Sequence, residues 1–257
     1  MRKAVIVGCR GQDGRILHDL LSRKGYRLLG VSRDGPVDVR KPERVLDLVK
    51  RFKPDEIYYL AAYHHSSQEA AIAGAQMHRR SWEVNVLGLV NFLEAMKAHR
   101  PAARLFYAAS ARVFGDVGGG RANEKTGLAP NDVYGITKAM GLMVCRLYRR
   151  HHGLFASVGI LFNHESSLRA PIYVTRKIVQ AAAAIKKGRA KELVLGSLDD
   201  EIDCGYAPDF ARAMLAIVGR GRADDFIVSS GKKHSIREFV STAFSALGLD
   251  WRQYVRV

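Results

Sequence analysis

The chain has 257 residues, and 47% of them are hydrophobic. Its 41 lysines and arginines exceed its 25 aspartates and glutamates, which gives a formal net charge of +16. No apolar run approaches the roughly 18 residues of a membrane-spanning helix, so the composition indicates a soluble globular protein. The first strand begins at Lys3, and the three cysteines lack metal-ligand spacing and are too few for a disulfide framework. We therefore expect no signal peptide, a reducing cytoplasmic location and no metal site.

The positive charge is spread over many segments. Basic pairs at 79–80, 149–150 and 186–187 lie on different predicted elements, without the interleaved aromatic residues of a single-strand nucleic-acid groove. A solvated surface accounts for most of this charge, and a small polyanion such as a dinucleotide or a nucleotide sugar is the ligand that it would attract best. We expect neither a membrane nor a nucleic acid as a partner.

Strand-like apolar runs alternate with helix-like periodic runs through most of the chain, which is typical of a parallel sheet with helices on both faces. Strands are predicted, in chain order, near residues 3–7, 26–31, 56–60, 104–109 and 156–162. Helices are predicted over about 12–24, 42–52 and 82–99 and around Tyr134, with a glycine-rich mobile loop at 115–131 before the last of them. We expect the α/β class, with a doubly wound Rossmann-type sheet in residues 1–162.

The pattern changes beyond residue 162, and residues 163–257 are predicted to form a smaller substrate-binding domain interleaved with the sheet. A helix is predicted at 174–187 and a strand at 192–195, and Ser235 and Glu238 form a capping box that opens a helix toward 247. The strand-like end at 254–257 has no closing element. We therefore expect this domain to be truncated.

The first strand ends in a turn whose glycines, Gly8, Gly11 and Gly14, have the spacing Gly-x-x-Gly-x-x-Gly. Such glycines let the backbone approach a pyrophosphate, while the first N–H groups and the dipole of the following helix favour negative charge. Similar turns also serve only to pack a strand against a helix. The turn alone therefore leaves nucleotide binding open.

Tyr134 and Lys138 lie four residues apart on one predicted helix, so both side chains project from the same face. A nearby ammonium favours phenolate, which lowers the pKa of a tyrosine from about 10 toward neutrality. Ser110, at the end of a neighbouring strand, is placed to hydrogen-bond the same substrate oxygen. A second pair at this spacing, Tyr173 and Lys177, lacks that context and is interpreted as a coincidence. The trio suits a proton transfer that accompanies hydride transfer to or from a nicotinamide.

Several segments resemble the extended short-chain dehydrogenase/reductase superfamily and, within it, the GDP-mannose 4,6-dehydratases. The segments are Gly11-Gln12-Asp13-Gly14, Phe106-Tyr107-Ala108-Ala109-Ser110, Asn163-His164-Glu165-Ser166, Val174-Thr175-Arg176-Lys177-Ile178 and Ser235-Ile236-Arg237-Glu238-Phe239. The resemblance implies a Rossmann domain that binds NADP(H), a small C-terminal domain that binds a nucleotide sugar, transient oxidation at sugar C4, and a homodimer.

The resemblance also assigns individual roles. It implies that Arg33, just after the second strand, pairs with the 2′-phosphate of NADP. The cofactor-binding residues that it implies are Gly8, Gly11, Gln12, Asp13, Gly14, Arg33, Ala61, Ala62 and Lys138. The substrate-binding residues are Arg112, Asn163, Arg176 and Lys177. The catalytic residues are Ser110, Tyr134 and Lys138.

One departure from the family bears on the reaction. Two residues after Ser110, where the family's dehydratases carry the glutamate that removes the C5 proton, this chain has Arg112. A guanidinium is not a base at neutral pH, so 4-keto reduction or epimerisation of a GDP-sugar is preferred over dehydration. A dehydratase whose base is Glu124 or Glu165 stays open. So does a non-catalytic regulator that responds to nucleotides or binds RNA.

Other positions differ as well. The segment after Arg33 is short, so we expect the family's intersubunit arm to be missing, and a sheet strand with it. Ile202 stands where the family has an arginine near the substrate phosphates. His64 and His65 are interpreted as surface or supporting residues, and Asn85 is expected to brace the backbone of the active site.

Overall fold

The computed structural model describes residues 1–63, 74–118 and 120–257, and these residues form two units. The larger unit comprises Met1–Phe162 and Ala207–Val228, and the smaller one comprises Asn163–Tyr206 and Ser229–Val257. The strands are β1 (Lys3–Val7), β2 (Arg27–Val31), β3 (Glu56–Tyr59), β4 (Arg104–Ser110), β5 (Phe155–Leu161), β6 (Asn163–Glu165), β7 (Leu193–Val194), β8 (Glu201–Tyr206), β9 (Asp225–Val228), β10 (Lys233–Ser235) and β11 (Val255–Arg256). The α-helices are α1 (Gln12–Arg23), α2 (Pro42–Phe52), α3 (Gly74–Trp82), α4 (Gly88–His99), α5 (Val133–His152), α6 (Val174–Lys186), α7 (Ala207–Val218) and α8 (Ile236–Ser245).

The larger unit is built on one parallel sheet in the order β2-β1-β3-β4-β5-β9. The chain passes from β2 on one side of β1 to β3 on the other, so the carboxyl ends of β1 and β3 form a topological switch point. Open α/β sheets bind their ligands at such a point. The prediction of a doubly wound parallel sheet is confirmed.

Both faces of the sheet are covered because successive strand residues point to opposite sides. Val5, Tyr59 and Tyr107 lie in the cluster that α2, α4 and α5 complete. Ile6 and Phe106, their neighbours on the same strands, lie in the other cluster with residues of α1 and α7. This alternation makes the sheet a rigid layer whose carboxyl edge presents the candidate site.

The smaller unit packs α6 and α8 around its own core, with β7 paired to β11 and the order β10-β8-β6 in its other sheet. Ser235 precedes α8, and its Oγ accepts the N–H of Glu238 at 3.1 Å, as the capping box predicts. Ile202, where the resemblance implies an arginine, packs against this core.

Two sequence predictions differ from the structure. Residues 207–228, assigned to the smaller domain, belong to the larger unit because β9 pairs with β5 and α7 contributes to the core beneath α1. The single helix predicted over about 82–99 is divided in the structure into a π-helical turn, Glu83–Leu87, and α4, and a further helix, α3, precedes it. The polar sequence of α3 carries little apolar periodicity, so it gave no signal. None of the helices in the described ranges combines the length and apolar character needed to cross a membrane.

Candidate active site

The glycine turn joins the end of β1 tightly to the start of α1. Gly8 has φ +92°, and an ideal Cβ there would lie 2.8 Å from the backbone nitrogen of Ala61. A Cβ on Gly14 would collide with the carbonyl oxygen of Gly8. Only glycine fits these two positions, and this holds the turn at the switch point between β1 and the residues after β3.

The helix start beyond this turn is suited to an anion. Gly11 precedes α1 and has no side chain that could cap the first N–H groups of this helix. Gln12 is buried, with Nε2 donating to Asp13 Oδ1 at 3.4 Å. Gly8, Gly14 and Gly11 thus form a cradle that a Cβ would fill, and this geometry fits a pyrophosphate.

A cluster of charge follows β2. The side chain of Arg33 is 95% exposed, and its Nε lies 3.6 Å from Asp34 Oδ1. The other oxygen of Asp34 accepts from Arg10, in the glycine turn, at 2.9 Å. The sequence analysis missed Arg10, although a positively charged residue between Gly8 and Gly11 is a signal that could have indicated a binding role. Two guanidinium groups therefore converge on one carboxylate beside the turn.

Lys138 is buried, and its surroundings place it against Tyr134. Its Nζ donates to the carbonyl oxygen of Ala108 at 2.7 Å and lies 5.6 Å from the centroid of the Tyr134 ring and 5.0 Å from that of Tyr107. Burial lowers the pKa of Lys138 to about 7. Ala108 lies two residues before Ser110 on β4, so Lys138 ties α5 to the strand that carries Ser110.

Asn85 lies in the π-helical turn and is fully buried. Its Oδ1 accepts the N–H of Tyr63 at 2.7 Å, and its Nδ2 donates to Thr137 Oγ1 at 2.9 Å. Thr137 in turn donates to the carbonyl oxygen of Tyr134 at 3.0 Å. Asn85 thus joins the segment after β3 to the first turn of α5 and braces the backbone there, while the prediction that this backbone belongs to an active site stays a prediction.

Two buried tyrosines hold the π-helical turn in place. The hydroxyl of Tyr59 donates to the carbonyl oxygen of Val84 at 2.5 Å, and that of Tyr107 donates to the carbonyl oxygen of Asn85 at 3.4 Å. Burial raises the pKa of both hydroxyls, which stay protonated donors. A Cβ on Gly88 or Gly141 would collide with one of these hydroxyls. The sequence analysis missed both tyrosines, which it treated as strand residues.

Arg112 lies in a short 3-10 turn, Ala111–Phe114, directly after β4. Its Nε and one terminal nitrogen each lie 2.6 Å from Asp132 Oδ2. The other oxygen of Asp132 accepts the N–H of Gly135 at 2.7 Å and so caps α5. Ser110 Oγ accepts the N–H of Arg112 at 3.3 Å. The guanidinium at the position of the expected glutamate is therefore ion-paired to the residue that caps α5.

The expected substrate-binding residues of the smaller unit lie on β6 and α6. Asn163 is exposed on β6, and the Nε of Arg176, near the start of α6, is a buried donor without a hydrogen-bond partner among the residues that the structure describes. Lys177 Nζ donates to the carbonyl oxygen of Val194 at 2.9 Å. Tyr173 precedes α6, so it does not share a helical face with Lys177, in agreement with a coincidental spacing.

Metal ligands are not grouped in the part of the chain that the structure describes: there, no three histidine, cysteine, aspartate or glutamate side chains gather to hold an ion. His64 and His65 lie outside the described residues. Ala61 lies against Gly8, as described above, while Ala62 is exposed.

The chain is similar in sequence to known proteins. A family model described as GDP-mannose 4,6 dehydratase matches residues 35–256. The chain belongs to the GDP-mannose 4,6-dehydratase family. It is 32% identical to GDP-mannose 4,6 dehydratase 2 of Arabidopsis thaliana, over 99% of this chain and 74% of that relative. It is 30% identical to GDP-mannose 4,6-dehydratase of Yersinia enterocolitica, over 97% of this chain and 73% of that relative.

Solved structures show the same fold as this member of the GDP-mannose 4,6-dehydratase family. RMD from Pseudomonas aeruginosa, complexed with NADPH, superposes with a TM-score of 0.86 at 22% identity, covering 100% of this chain and 88% of that one. UDP-glucose 4-epimerase from Thermus thermophilus, complexed with NAD, gives 0.83 at 22% identity, covering 99% and 85%. The resemblance to the GDP-mannose 4,6-dehydratases is confirmed by the family model and the relatives, and these structures confirm the fold.

Proposed function

We propose that this chain is a nucleotide-sugar enzyme that transfers hydride at sugar C4, acting on a GDP-sugar as a 4-keto reductase or an epimerase. Membership of the GDP-mannose 4,6-dehydratase family supports the substrate class. The placement of Lys138 against Tyr134 supports the hydride-transfer chemistry. The observation that carries the choice of reaction is the ion pair of Arg112 with Asp132, at the position where an elimination needs a free carboxylate.

The proposed cofactor is NADP(H). The cradle of Gly8, Gly11 and Gly14 fits its pyrophosphate, and Arg10 and Arg33 supply positive charge for a 2′-phosphate. A bound nicotinamide supplies the acceptor or donor of hydride. In this structure Asp34 is the ionic partner of both arginines, and a phosphate group at that position would compete with Asp34 for them.

Each side chain of the proposed active site has a separate role in the proton transfer. Tyr134 gives a proton to the sugar oxygen during reduction and takes it back during oxidation. Lys138 stabilises the phenolate when it is an ammonium, and its pKa of about 7 places its titration in the working range of pH. Ser110 orients the hydroxyl or carbonyl group.

A dehydratase reaction is the second candidate, and family membership is the observation that favours it. The elimination of water needs a base for the C5 proton. The carboxylate of Glu124 accepts the N–H of Ile227 at 2.9 Å, and that of Glu165 accepts from Thr175 Oγ1 at 2.6 Å. Both proposed bases therefore have hydrogen-bond partners that they would have to give up or share.

A product assay separates the candidates. The purified protein is incubated with GDP-mannose and NADP⁺, and separately with a GDP-4-keto-6-deoxy sugar and NADPH, and the products are identified by NMR. We expect reduction of the keto sugar, or an epimer of the supplied GDP-sugar. A 4-keto-6-deoxy product from GDP-mannose would contradict the proposal and establish dehydration. Tight NADPH binding without turnover of any nucleotide sugar would instead favour a regulatory protein.

The charge cluster beside the glycine turn gives a prediction for cofactor choice. Replacing Arg33 or Arg10 with alanine should weaken NADPH binding about tenfold, because each substitution removes one charged hydrogen bond to the 2′-phosphate. NADH lacks that phosphate, so its dissociation constant should stay unchanged. Fluorescence titration with both cofactors measures the ratio, and Arg51→Ala, at an exposed arginine on α2, is the control. Equal weakening for NADPH and NADH would refute the assignment.

We extend the proposal to a cytoplasmic homodimer. Ile136, Met143 and Leu147 are exposed at helical spacing along one face of α5, an arrangement suited to a second copy of the chain. All three cysteines are free thiols, which suits a reducing compartment. Sedimentation velocity of the purified protein tests the oligomeric state, and a monomer at micromolar concentration would contradict it.

A further inference from the structure

Ser110 and Tyr134 reach the site from elements that the chain connects loosely. Ser110 ends β4, and Tyr134 is the second residue of α5. Apart from the 3-10 turn, the described residues between them form no helix or strand. Their relative position therefore depends on contacts that cross this connection rather than on the connection itself.

We propose that the ion pair between Arg112 and Asp132 is a positioning device that sets Tyr134 relative to Ser110. This inference rests on the proposed function. Arg112 lies two residues after Ser110, and Asp132 lies two residues before Tyr134. The pair thus joins the two catalytic segments at a distance of two residues from each reacting side chain.

The geometry fixes both partners. Asp132 uses Oδ2 for two nitrogens of the Arg112 guanidinium and Oδ1 for the N–H of Gly135, so its carboxylate plane is held from both sides. The carbonyl oxygen of Arg112 lies close under Gly135, where an ideal Cβ would come within 2.7 Å of it. Val113 adds a backbone link, because its carbonyl oxygen accepts the N–H of Ala129 at 3.0 Å. A shift of the turn after β4 therefore passes directly to the start of α5.

The burial of the pair indicates a role other than stability. The side chains of Arg112 and Asp132 are 59% and 30% exposed, and ion pairs in such surroundings contribute little to the free energy of unfolding. A misplacement of about 1 Å, however, is enough to lower a catalytic rate by up to about two orders of magnitude. In this inference Arg112 therefore acts through Asp132. This positioning role replaces the direct contact between Arg112 and the substrate that the resemblance implied.

A double-mutant cycle tests the device. Asp132→Asn keeps an N-cap that can accept from Gly135 but removes the charge, and Arg112→Gln removes the other charge. Each should lower kcat about tenfold, with an unchanged dissociation constant for NADPH and an unchanged melting temperature. The double variant should lose no more than either single variant, and Arg112→Lys should recover part of the loss. Arg51→Gln is the matched control, since Arg51 Nε donates to Asp47 at the same 2.6 Å on the exposed surface of α2.

A second readout does not need turnover. Hydrogen exchange at residues 133–136 should accelerate in Arg112→Gln and Asp132→Asn but not in Arg51→Gln, because the first turn of α5 loses its tether. An Arg112→Gln variant with wild-type kcat and wild-type exchange would overturn the inference, as would strictly additive losses in the double variant. If the wild-type protein turns over no nucleotide sugar, the proposed function fails, and the exchange rates alone decide whether the pair orders the helix start.

Discussion

Replacing Tyr134 with phenylalanine should lower kcat by about 10²- to 10⁴-fold, the usual contribution of a general acid or base. The ring would remain against Lys138, so NADPH binding and the melting temperature should change little. The substitution removes the hydroxyl whose proton Tyr134 exchanges with the sugar oxygen in the proposed function. Steady-state kinetics with the nucleotide sugar that proves to be turned over, together with fluorescence titration of NADPH, would measure both effects.

Tyr173→Phe is the matched control for this experiment. Tyr173 has a lysine four residues later, as Tyr134 does, but it precedes its helix, and its ring lies 3.5 Å from the guanidinium carbon of Arg169. We expect the control to retain wild-type kcat. Wild-type turnover in Tyr134→Phe would show that the active site is wrongly assigned, and a comparable loss of kcat in both variants would show that the spacing alone does not identify the acid.

Replacing Lys138 with methionine should change how stability depends on pH. Burial lowers the pKa of Lys138 from 10.5 to about 7, so between these values the unfolded chain binds a proton that the folded chain does not. Stability from this group therefore rises with pH across that window and is constant below about pH 7. One such proton corresponds to about 1.4 kcal/mol per pH unit.

Urea unfolding at pH 7, 8 and 9 measures this effect. From pH 7 to pH 9 the wild-type protein should gain about 2 to 3 kcal/mol of unfolding free energy relative to Lys138→Met, since other groups titrate alike in both proteins. Lys50→Met, at an exposed position of α2, should follow the wild-type dependence. Parallel stability profiles for wild type and Lys138→Met would show that the Lys138 amine keeps an ordinary pKa in the folded protein.

The parts of the fold that were predicted well are those with strong periodicity. The helix at Pro42–Phe52 has the predicted bounds because proline marks its first turn and three apolar residues define its buried face. β4 and β5 were predicted as continuous apolar runs, as expected for strands covered on both faces. The sequence analysis expected residues 163–257 to be interleaved with the sheet but did not identify 207–228 as the segment that returns to it, because strand pairing between distant segments leaves no mark in local spacing.

Some contacts of the candidate site were likewise predicted from the sequence, and others were not. The spacing of Tyr134 and Lys138 indicated a shared face, and their side chains do lie close together. Arg10, by contrast, gains its importance from Asp34, and Asp132 gains its importance from Arg112. Such partnerships depend on loops whose path is set by three-dimensional packing, so a reading of residue types along one chain does not reveal them.

The cap of α5 also constrains how this chain could acquire or regain an elimination reaction. A glutamate introduced at position 112 would stand beside Asp132, and two neighbouring carboxylates oppose each other's ionisation. Asp132 would lose its guanidinium counterion, and the repulsion between the two carboxylates would act on the residue that caps α5. Asparagine at position 132 relieves that conflict while it still accepts from Gly135. The order of substitution therefore matters: a change at 132 opens a route that a change at 112 alone would block.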